Sequence, residues 1–384
     1  MKKAFKTEIR LTPEQKIKVH QTIGVCRYVY NLYVKTAQDH YKETGKHMSG
    51  YDFSKWLNNV YTKEHDPWIK EVSSKAVKQA IMNGDRAFRN FFKGLVQFPR
   101  FKKKKHQKVK AYFPKNNLTD LTVERHRIKV PTIGWVQLKE HGYIPTNAAV
   151  SSCTISQQAD RYFLSVLCEA EGTSSTQINN HEGIGVDLGI QHFAICSHGE
   201  LFGNINKTDT IKKIEKRLKR LQRKLSRSYE QNKQRKRGEF CAKNRQKMIL
   251  RVQKLHARLS RIRQAYVRYV IQQLVKTKPL FITIEDLNVQ GMMKNRHLAK
   301  AIASQGFYTF KQMLAAQCCK HGIELRQVDR WHPSSKLCSC CGEKNVTLRL
   351  SDRLFTCASC GIEMDRDVNA SLNLKSATAY TILA

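Results

Sequence analysis

Apolar and polar positions alternate over residues 2–11, where Ala4, Phe5, Ile9 and Leu11 mark a strand. At Thr12-Pro13-Glu14-Gln15 the period changes. Thr12 reads as a helix N-cap, Pro13 as the first helical residue and Gln15 as the partner that completes a capping box. Ile17, Val25, Tyr28, Val29, Leu32 and Tyr33 then recur at helical spacing. Helical segments with dense aromatics (Tyr51, Phe53, Trp56, Tyr61, Trp68) continue to about Phe92. Over residues 109–170 the pattern reads as short strands at Val109–Phe113, Ile128–Val130, Trp135–Leu138, Ala149–Ser156 and Tyr162–Cys168, with Gly and Pro between them. The first strand is expected to join this β-rich unit, which makes the helices of residues 12–92 an insertion. Glu171–His181 is polar and structure-poor and reads as a linker.

The longest regular pattern covers residues 211–274. Ile211, Ile214, Leu218, Leu221 and Leu225 are spaced 3, 4, 3, 4, and Val252, Leu255, Leu259, Ile262, Tyr266 and Tyr269 repeat that rhythm. A polar stretch, Gln231–Gly238, separates them. This predicts an antiparallel helical hairpin with a coiled-coil-like seam.

Charge changes the picture. The 384 residues carry 69 Lys and Arg against 31 Asp and Glu, a formal net charge of +38. With 41% hydrophobic residues the chain can build cores, which excludes a wholly disordered basic tail. No apolar run approaches the roughly 20 residues of a membrane span, and the amino terminus has no apolar stretch of signal-peptide type. The expectation is a soluble, cytoplasmic protein whose partner is a polyanion, nucleic acid before membrane. The charge is concentrated: residues 211–270 hold 22 Lys or Arg against 3 Glu. From Arg100 to Lys110 seven of eleven residues are basic and none is acidic. Arg100, Lys102, Lys103, Lys104 and Lys105, with Lys212, Arg217, Lys219, Arg223 and Lys224 of the hairpin, are the candidate phosphate contacts.

Three acidic motifs stand at places suited to chemistry. In Gly183-Ile184-Gly185-Val186-Asp187-Leu188-Gly189 an apolar strand leads into Asp187, and two further short strands follow at His192–Ser197 and Glu200–Phe202. A ribonuclease H-like domain opens in this way, and so do ATP-binding actin-like folds. The glycines are expected to let a phosphate or metal approach the backbone. Leu280–Ile284 is a buried-type strand ending in Glu285-Asp286, which cannot both face one site because strand side chains alternate. Asp365-Arg366-Asp367 precedes a helical stretch, Val368–Leu374, apolar enough to pack on the strand bearing Asp187. That packing favours Asp367 for the site and leaves Asp365 to pair with Arg366 or another base. Three carboxylates in these contexts suit two Mg²⁺ ions in a phosphodiesterase.

Twelve cysteines in a chain of this length without a signal segment argue against a disulfide scaffold. Five crowd between residues 338 and 360, where two Cys-x-x-Cys-Gly motifs stand fifteen residues apart. Cys338, Cys341, Cys357 and Cys360 are the expected ligands of one structural Zn²⁺, closed by four thiolates, with Cys340 a spectator. Cys26, Cys153, Cys168, Cys196, Cys241, Cys318 and Cys319 are expected to be small buried apolar residues.

The order Gly-x-Asp-x-Gly, Ile-Glu-Asp-Leu, Pro333-Ser334-Ser335-Lys336 before the cysteine pairs, then Asp-Arg-Asp-x-Asn-Ala resembles the TnpB family of insertion-sequence proteins, relatives of type V CRISPR effectors. At the amino end Thr-Pro-Glu-Gln with Cys26-Arg27-Tyr28-Val29-Tyr30-Asn31, and Phe98-Pro99-Arg100-Phe101-Lys102, are similar too. Departures are small: Cys340, Ser371 where a second alanine is common, and a short tail. The resemblance implies an α+β multidomain fold. Residues 1–11 and 93–180 would form a wedge β-barrel, with a helical recognition lobe inserted at 12–92. Residues 181–334 and 362–384 would form a RuvC (ribonuclease H-like) nuclease domain carrying the hairpin 209–275, interrupted at 335–361 by a zinc-ribbon target-nucleic-acid-binding domain. It implies an RNA-guided DNA endonuclease with catalytic Asp187, Glu285 and Asp367. Its guide RNA would come from the transposon end, and its double-stranded target would lie beside a short transposon-associated motif. The expected state is a monomer with its RNA in a prokaryotic cytoplasm, at the nucleoid. A transposase, or an RNA-guided DNA-binding repressor, is the alternative; the presence of all three acids speaks against the repressor.

Overall fold

The computed structural model describes residues 2–104, 110–115, 117, 119–169, 182–233, 242–349 and 352–384. Lys105, the proposed linker at Glu171–His181, Cys241 and most of the polar stretch between the hairpin helices lie outside them. The chain divides into two units, residues 1–172 and 173–384.

In the first unit, β1 (Lys2–Arg10) leads into α1 (Pro13–Thr44), followed by α2 (Gly50–Trp56), α3 (Thr62–Glu64) and α4 (Ser74–Phe92). Strands β2 (Lys110–Pro114), β3 (Arg127–Val130), β4 (Gly134–Leu138), β5 (Ala149–Gln158) and β6 (Arg161–Glu169) complete it, each within about two residues of its expected span. The six strands form one antiparallel sheet in the order β2-β5-β6-β1-β4-β3. β1 therefore pairs with strands that follow the helices by more than forty residues. Its core face is Phe5, Thr7, Ile9 and then Leu11, with Ala4 exposed, so one of the four positions read as apolar signal belongs to the outer face. On that outer face Glu8 accepts from Lys139 (2.9 Å) and Arg161 (3.2 Å), which hold its carboxyl below the usual range, the Lys139 hydrogen bond most of all.

The capping box at the start of α1 is formed: Gln15 N–H donates to Thr12 Oγ1 (3.2 Å) and Thr12 N–H to Gln15 Oε1 (3.1 Å). The helix ends at Gly45, whose φ of +68° suits a residue without Cβ. Val19 and Ile23 join the sheet core, while Val25, Val29, Tyr30, Tyr33 and Val34 pack into a second cluster with Phe53, Ile81 and Phe88. Ile17, expected on the apolar face, is exposed, while Val19 and Ile23 of the same helix are buried against the sheet.

The second unit contains β7 (Ile184–Leu188), β8 (His192–Cys196), β9 (Leu201–Gly203), α5 (Asp209–Lys233), α6 (Ala242–Lys276), β10 (Phe281–Glu285), α7 (Val289–Met292), α8 (Ala299–Gln305), α9 (Phe307–His321), β11 (Glu324–Val328), β12 (Leu354–Thr356), β13 (Glu363–Asp365), α10 (Arg366–Ser376) and β14 (Thr381–Ile382). Its main sheet has the order β14-β11-β10-β7-β8-β9. β7, β8 and β9 form an antiparallel meander, β10 and β11 run parallel to β7, and β14 closes the far edge antiparallel to β11. Ile184 and Val186 bury one face against α6 and α9, through Val270, Ile271, Leu274, Phe310 and Leu314. The residue between them, Gly185, faces the other way and meets α10.

That contact explains the glycine. A Cβ on Gly185 would overlap the carbonyl oxygen of Ser371 and the amide nitrogen of Lys375. A Cβ on Gly183 would enter the Phe281 ring. The motif's glycines at 183 and 185 thus admit the protein's own helix and ring, where a phosphate or metal had been expected.

The hairpin is antiparallel. Glu215 pairs with Arg263 (2.9 Å) and Gln222 contacts His256 (3.3 Å), so seven residues forward on α5 are seven back on α6. Ile211, Ile214, Leu218, Leu255 and Leu259 fill the seam, with Leu221, Val252 and Ile262 beside them. Tyr266 and Tyr269 are not in it. Tyr266 packs on Phe193 and donates to Gly203 O (2.5 Å), and Tyr269 is exposed, because this end of α6 has turned to cover the sheet.

Of the scattered cysteines, Cys153, Cys168, Cys196 and Cys318 are buried, Cys26 is half-buried, and Cys319 is exposed, against expectation. Burial pushes the Cys26, Cys196 and Cys318 thiols up to about 12, so none of these three is a reactive thiolate at neutral pH.

Gly185→Ala is expected to destabilise the second unit by about 3 kcal/mol or more, since a helix backbone must move to admit the methyl group. Gly203→Ala, with nothing within 4 Å of the new Cβ, is expected to be close to neutral. Denaturant unfolding of the two variants against the parent chain measures the difference.

Candidate metal centres

The register of parallel strands builds the first centre. β10 pairs with β7 through Ile282–Ile184, Thr283–Gly185 and Ile284–Val186. One step further, at the carboxyl edge, Glu285 stands beside Asp187. Both lie on the face of Gly185, the face that α10 covers. Helix α10 starts over this edge: Asp365 is its N-cap, accepting from Asp367 N–H (2.8 Å) and Val368 N–H (3.2 Å), and Asp367 lies in its first turn. The three carboxylates feel one another. Burial, then the charges of Glu285 and Asp367, push Asp187 up to about 8, against the opposing pull of Arg366 and the Leu188 amide.

Asp367 is the best compensated of the three. Arg366 donates to its Oδ1 (Nη2 at 3.0 Å) and Arg353 to its Oδ2 (3.2 Å). The expected Asp365–Arg366 pairing gives way to Arg366–Asp367, because capping turns the Asp365 carboxylate toward the backbone amides. Glu285 accepts a hydrogen bond from the buried Ser334 hydroxyl. Asp286 points to the opposite face, as strand alternation requires. There it pairs with Arg330 (2.9 Å) and Lys311 (3.9 Å), and the Arg330 hydrogen bond foremost holds its carboxyl below the usual range.

The second centre is the cysteine cluster. Cys338 and Cys360 Sγ lie 3.6 Å apart, Cys341 and Cys357 Sγ 3.5 Å apart, and all four sulfurs are within 4.8 Å of one another. Tetrahedral zinc with Zn–S near 2.3 Å places sulfurs about 3.8 Å apart, so the set fits. The knuckles repeat one geometry. Gly342 N–H donates to Cys338 O (2.9 Å) and Gly361 N–H to Cys357 O (3.0 Å), with φ of +78° and +70°. Phe355 is fully buried between the cysteine pairs, and Cys340 is exposed and outside the cluster. Among the described residues this is the one group of three or more metal-ligating side chains packed so tightly. The three carboxylates do not form a group as tight as this one.

The cysteine module is tied to α10. Asn369 Nδ2 donates to Leu337 O (2.6 Å) and its Oδ1 accepts from Ser339 N–H (2.9 Å), while Asn373 Nδ2 donates to Ser334 O and Leu337 O (both 2.7 Å). Sequence reasoning missed Ser334, Asn369, Asn373 and the two arginines on Asp367. The asparagine pair is spaced by one helical turn and was the available signal.

The charged candidates divide. Lys212, Arg217, Lys219, Arg223 and Lys224 are exposed along the hairpin. Arg223 and Lys224 line a concavity with Arg220, Arg227, Ser228, Gln231 and Met248, so two arginines join those expected. Arg100, Lys103 and Lys104 are exposed. The ammonium of Lys102 instead lies 3.5 Å from the centre of the Tyr30 ring, and its backbone is bracketed by the Asn31 side chain, so it already has a protein partner.

Comparison with known proteins decides the family. The family models described as "Helix-turn-helix domain", "Probable transposase" and "Cas12f1-like, TNB domain" match residues 1–46, 165–296 and 307–374. A protein of Streptomyces pristinaespiralis named "Putative RNA-guided DNA endonuclease" is 31% identical over 381 residues, 98% of this chain and 89% of the relative. The chain belongs to the TnpB family. The Escherichia coli K12 protein named "Putative RNA-guided DNA endonuclease InsQ" is 28% identical over 397 residues, covering 99% of this chain and 93% of its own. A Cas12f1 chain, solved by cryo-electron microscopy in a complex with sgRNA and target DNA, shares the fold at a TM-score of 0.62 and 12% identity, over 99% of both chains. In this TnpB-family chain the residues matched as helix-turn-helix fold as β1 and the single long helix α1.

Two predictions follow from these centres. Serine at Cys338, Cys341, Cys357 or Cys360 is expected to release one zinc per chain and unfold the ribbon, while Cys340→Ser keeps the ion; mass spectrometry of the native protein counts it. Asp187 has its carboxyl raised on folding, so the Mg²⁺-free protein loses stability as pH rises from about 4 to about 8, the range in which the unfolded chain has released this proton and the folded chain has not. Asp187→Asn removes that loss. The variant's melting temperature in Mg²⁺-free buffer is therefore expected to exceed that of the parent by a margin that widens between pH 5 and pH 8, reaching about 3 °C or more.

Proposed function

We propose that this chain is an insertion-sequence RNA-guided DNA endonuclease of RuvC type, with Asp187, Glu285 and Asp367 as the ligands of two catalytic Mg²⁺. The observation that carries the reading is the meeting of these three carboxylates at the carboxyl edge of β7 and β10, under the start of α10. The relatives named as RNA-guided DNA endonucleases support the activity, and the solved Cas12f1 complex supports guide RNA and target DNA as partners.

Bound at this edge, the two ions supply a water of lowered pKa and charge to stabilise the leaving oxygen. The protein's part is placement. β7 and β10 fix Asp187 and Glu285 side by side, and the α10 cap fixes the backbone of Asp367. Arg366 and Arg353 balance the charge of Asp367. The four thiolates hold one structural Zn²⁺, which keeps the ribbon at 335–361 folded for contact with the target. The exposed cations of the hairpin, with Arg100, Lys103 and Lys104, bind guide and target through their backbones, and base pairing supplies the sequence reading. The sheet of the first unit serves as the wedge domain, and its helices at 12–92 as the recognition lobe. The protein works as a monomer with its RNA at the prokaryotic nucleoid. Among the described residues no helix is long and apolar enough to cross a membrane. Strand joining is the second reading, favoured by the "Probable transposase" description of residues 165–296; its product would be joined ends.

Asp367→Ala is expected to lower cleavage of a guide-matched plasmid by at least about a thousandfold while guided DNA binding persists. Asp365→Ala is expected to cleave, with a stability loss of about 1 kcal/mol from the missing cap. A fully active Asp367→Ala protein overturns the assignment.

A further inference from the structure

We infer that Ser334 is the positioning residue of Glu285, and that Asn373 holds Ser334 in place for this purpose. The inference rests on the metal reading of the carboxylates above and extends it to residues that touch no cation.

Ser334 is 4% exposed, in the segment that leaves β11 for the first zinc knuckle. Its hydroxyl donates to Glu285 Oε1. A buried hydroxyl aimed at a carboxylate leaves that oxygen oriented, and among the described residues Glu285 Oε2 has no protein partner. One oxygen is fixed and the other is available to a cation. The Ser334 backbone is itself held on both sides. Its N–H donates to His332 O (2.8 Å), and its carbonyl accepts from Asn373 Nδ2 (2.7 Å). The Asn373 amide, 8% exposed, also reaches Leu337 O (2.7 Å), where Asn369 adds a second donor (2.6 Å). Both asparagines lie on α10, the helix that carries Asp367. One helix therefore places a carboxylate by its first turn and, through a serine, orients another that lies on a strand. Glu285 sits at a strand end, where packing by β10 alone would fix its backbone and leave the carboxylate to rotate. Partners that orient metal ligands in this way typically contribute 10–100-fold to metal affinity.

The test compares the full chain, with guide RNA bound, as the parent, Ser334→Ala, Ser334→Thr, Glu285→Gln and the double variant Ser334→Ala/Glu285→Gln. Mg²⁺ is titrated and the rise in melting temperature is recorded, together with zinc content and the Mg²⁺ dependence of cleavage. Ser334→Ala is expected to keep its zinc and its Mg²⁺-free melting temperature within about 2 °C of the parent, and to need about tenfold more Mg²⁺ for half of the shift. Ser334→Thr, which keeps the hydroxyl, is expected within about threefold of the parent. In the Glu285→Gln background Ser334→Ala is expected to add nothing, since both act on one ligand. Unchanged Mg²⁺ dependence in Ser334→Ala, additive effects in the double variant, or loss of zinc from Ser334→Ala would each overturn the inference. A parent chain with no Mg²⁺-dependent shift would overturn the metal reading, and this one with it.

Discussion

The close approach of α10 to β7 at Gly185 is the constraint on which the second unit depends. Only a residue without a side chain lets the backbone at Ser371 and Lys375 lie against the strand. That contact sets the height and direction of the helix. Its first turn then falls over the carboxyl edge of the sheet, where β7 ends in Asp187 and β10 in Glu285. The same helix reaches the other way with Asn369 and Asn373 to hold the entry to the zinc ribbon. A single packing contact thus brings together residues separated by 180 positions, and ties the four-cysteine module to the carboxylates.

Charge is arranged against stability at this edge. Three carboxylates face one another with compensation mainly at Asp367, and burial with like charge raises Asp187 well above an ordinary aspartate. A fold selected for stability alone would have given Asp187 and Glu285 close basic partners as well, as it has given Arg366 and Arg353 to Asp367 and, on the opposite face, Arg330 to Asp286. A buried carboxyl raised by its carboxylate neighbours is the kind of group whose charge a divalent cation can stabilise. The zinc ribbon follows another logic. It has little apolar core beyond Phe355 and its neighbours, so a metal held by the four cysteines would take the place of a core.

Features that depend on near neighbours were legible in the sequence: the Thr12–Gln15 capping box, the strands of the first unit, the hairpin seam from Ile211 to Leu221, and the two cysteine pairs. Strand alternation also separated Glu285 from Asp286 correctly. What was not legible comes from contacts distant in sequence. Nothing local says that Gly185 receives a helix, that Tyr266 leaves the hairpin seam for the sheet, or that Lys102 rests on Tyr30. Residues 381–382 fold as β14 on the sheet edge, beside a stack of Arg326 on Phe281 and Tyr380 that is assembled from three separate segments. Ser334 and Asn369 lay inside motifs already noted and Asn373 inside the predicted helical stretch, but their roles needed the geometry of α10.

The central claim is that Asp187, Glu285 and Asp367 hold a pair of divalent ions. Anomalous diffraction from crystals of the guide-bound protein grown with Mn²⁺ tests it most directly, because manganese accepts the same oxygen ligands as magnesium. The account predicts two anomalous peaks about 4 Å apart at the carboxyl edge of β7 and β10, each within about 2.3 Å of a carboxylate oxygen of this triad. Manganese bound elsewhere, with no peak in contact with Asp187, Glu285 or Asp367, would contradict it.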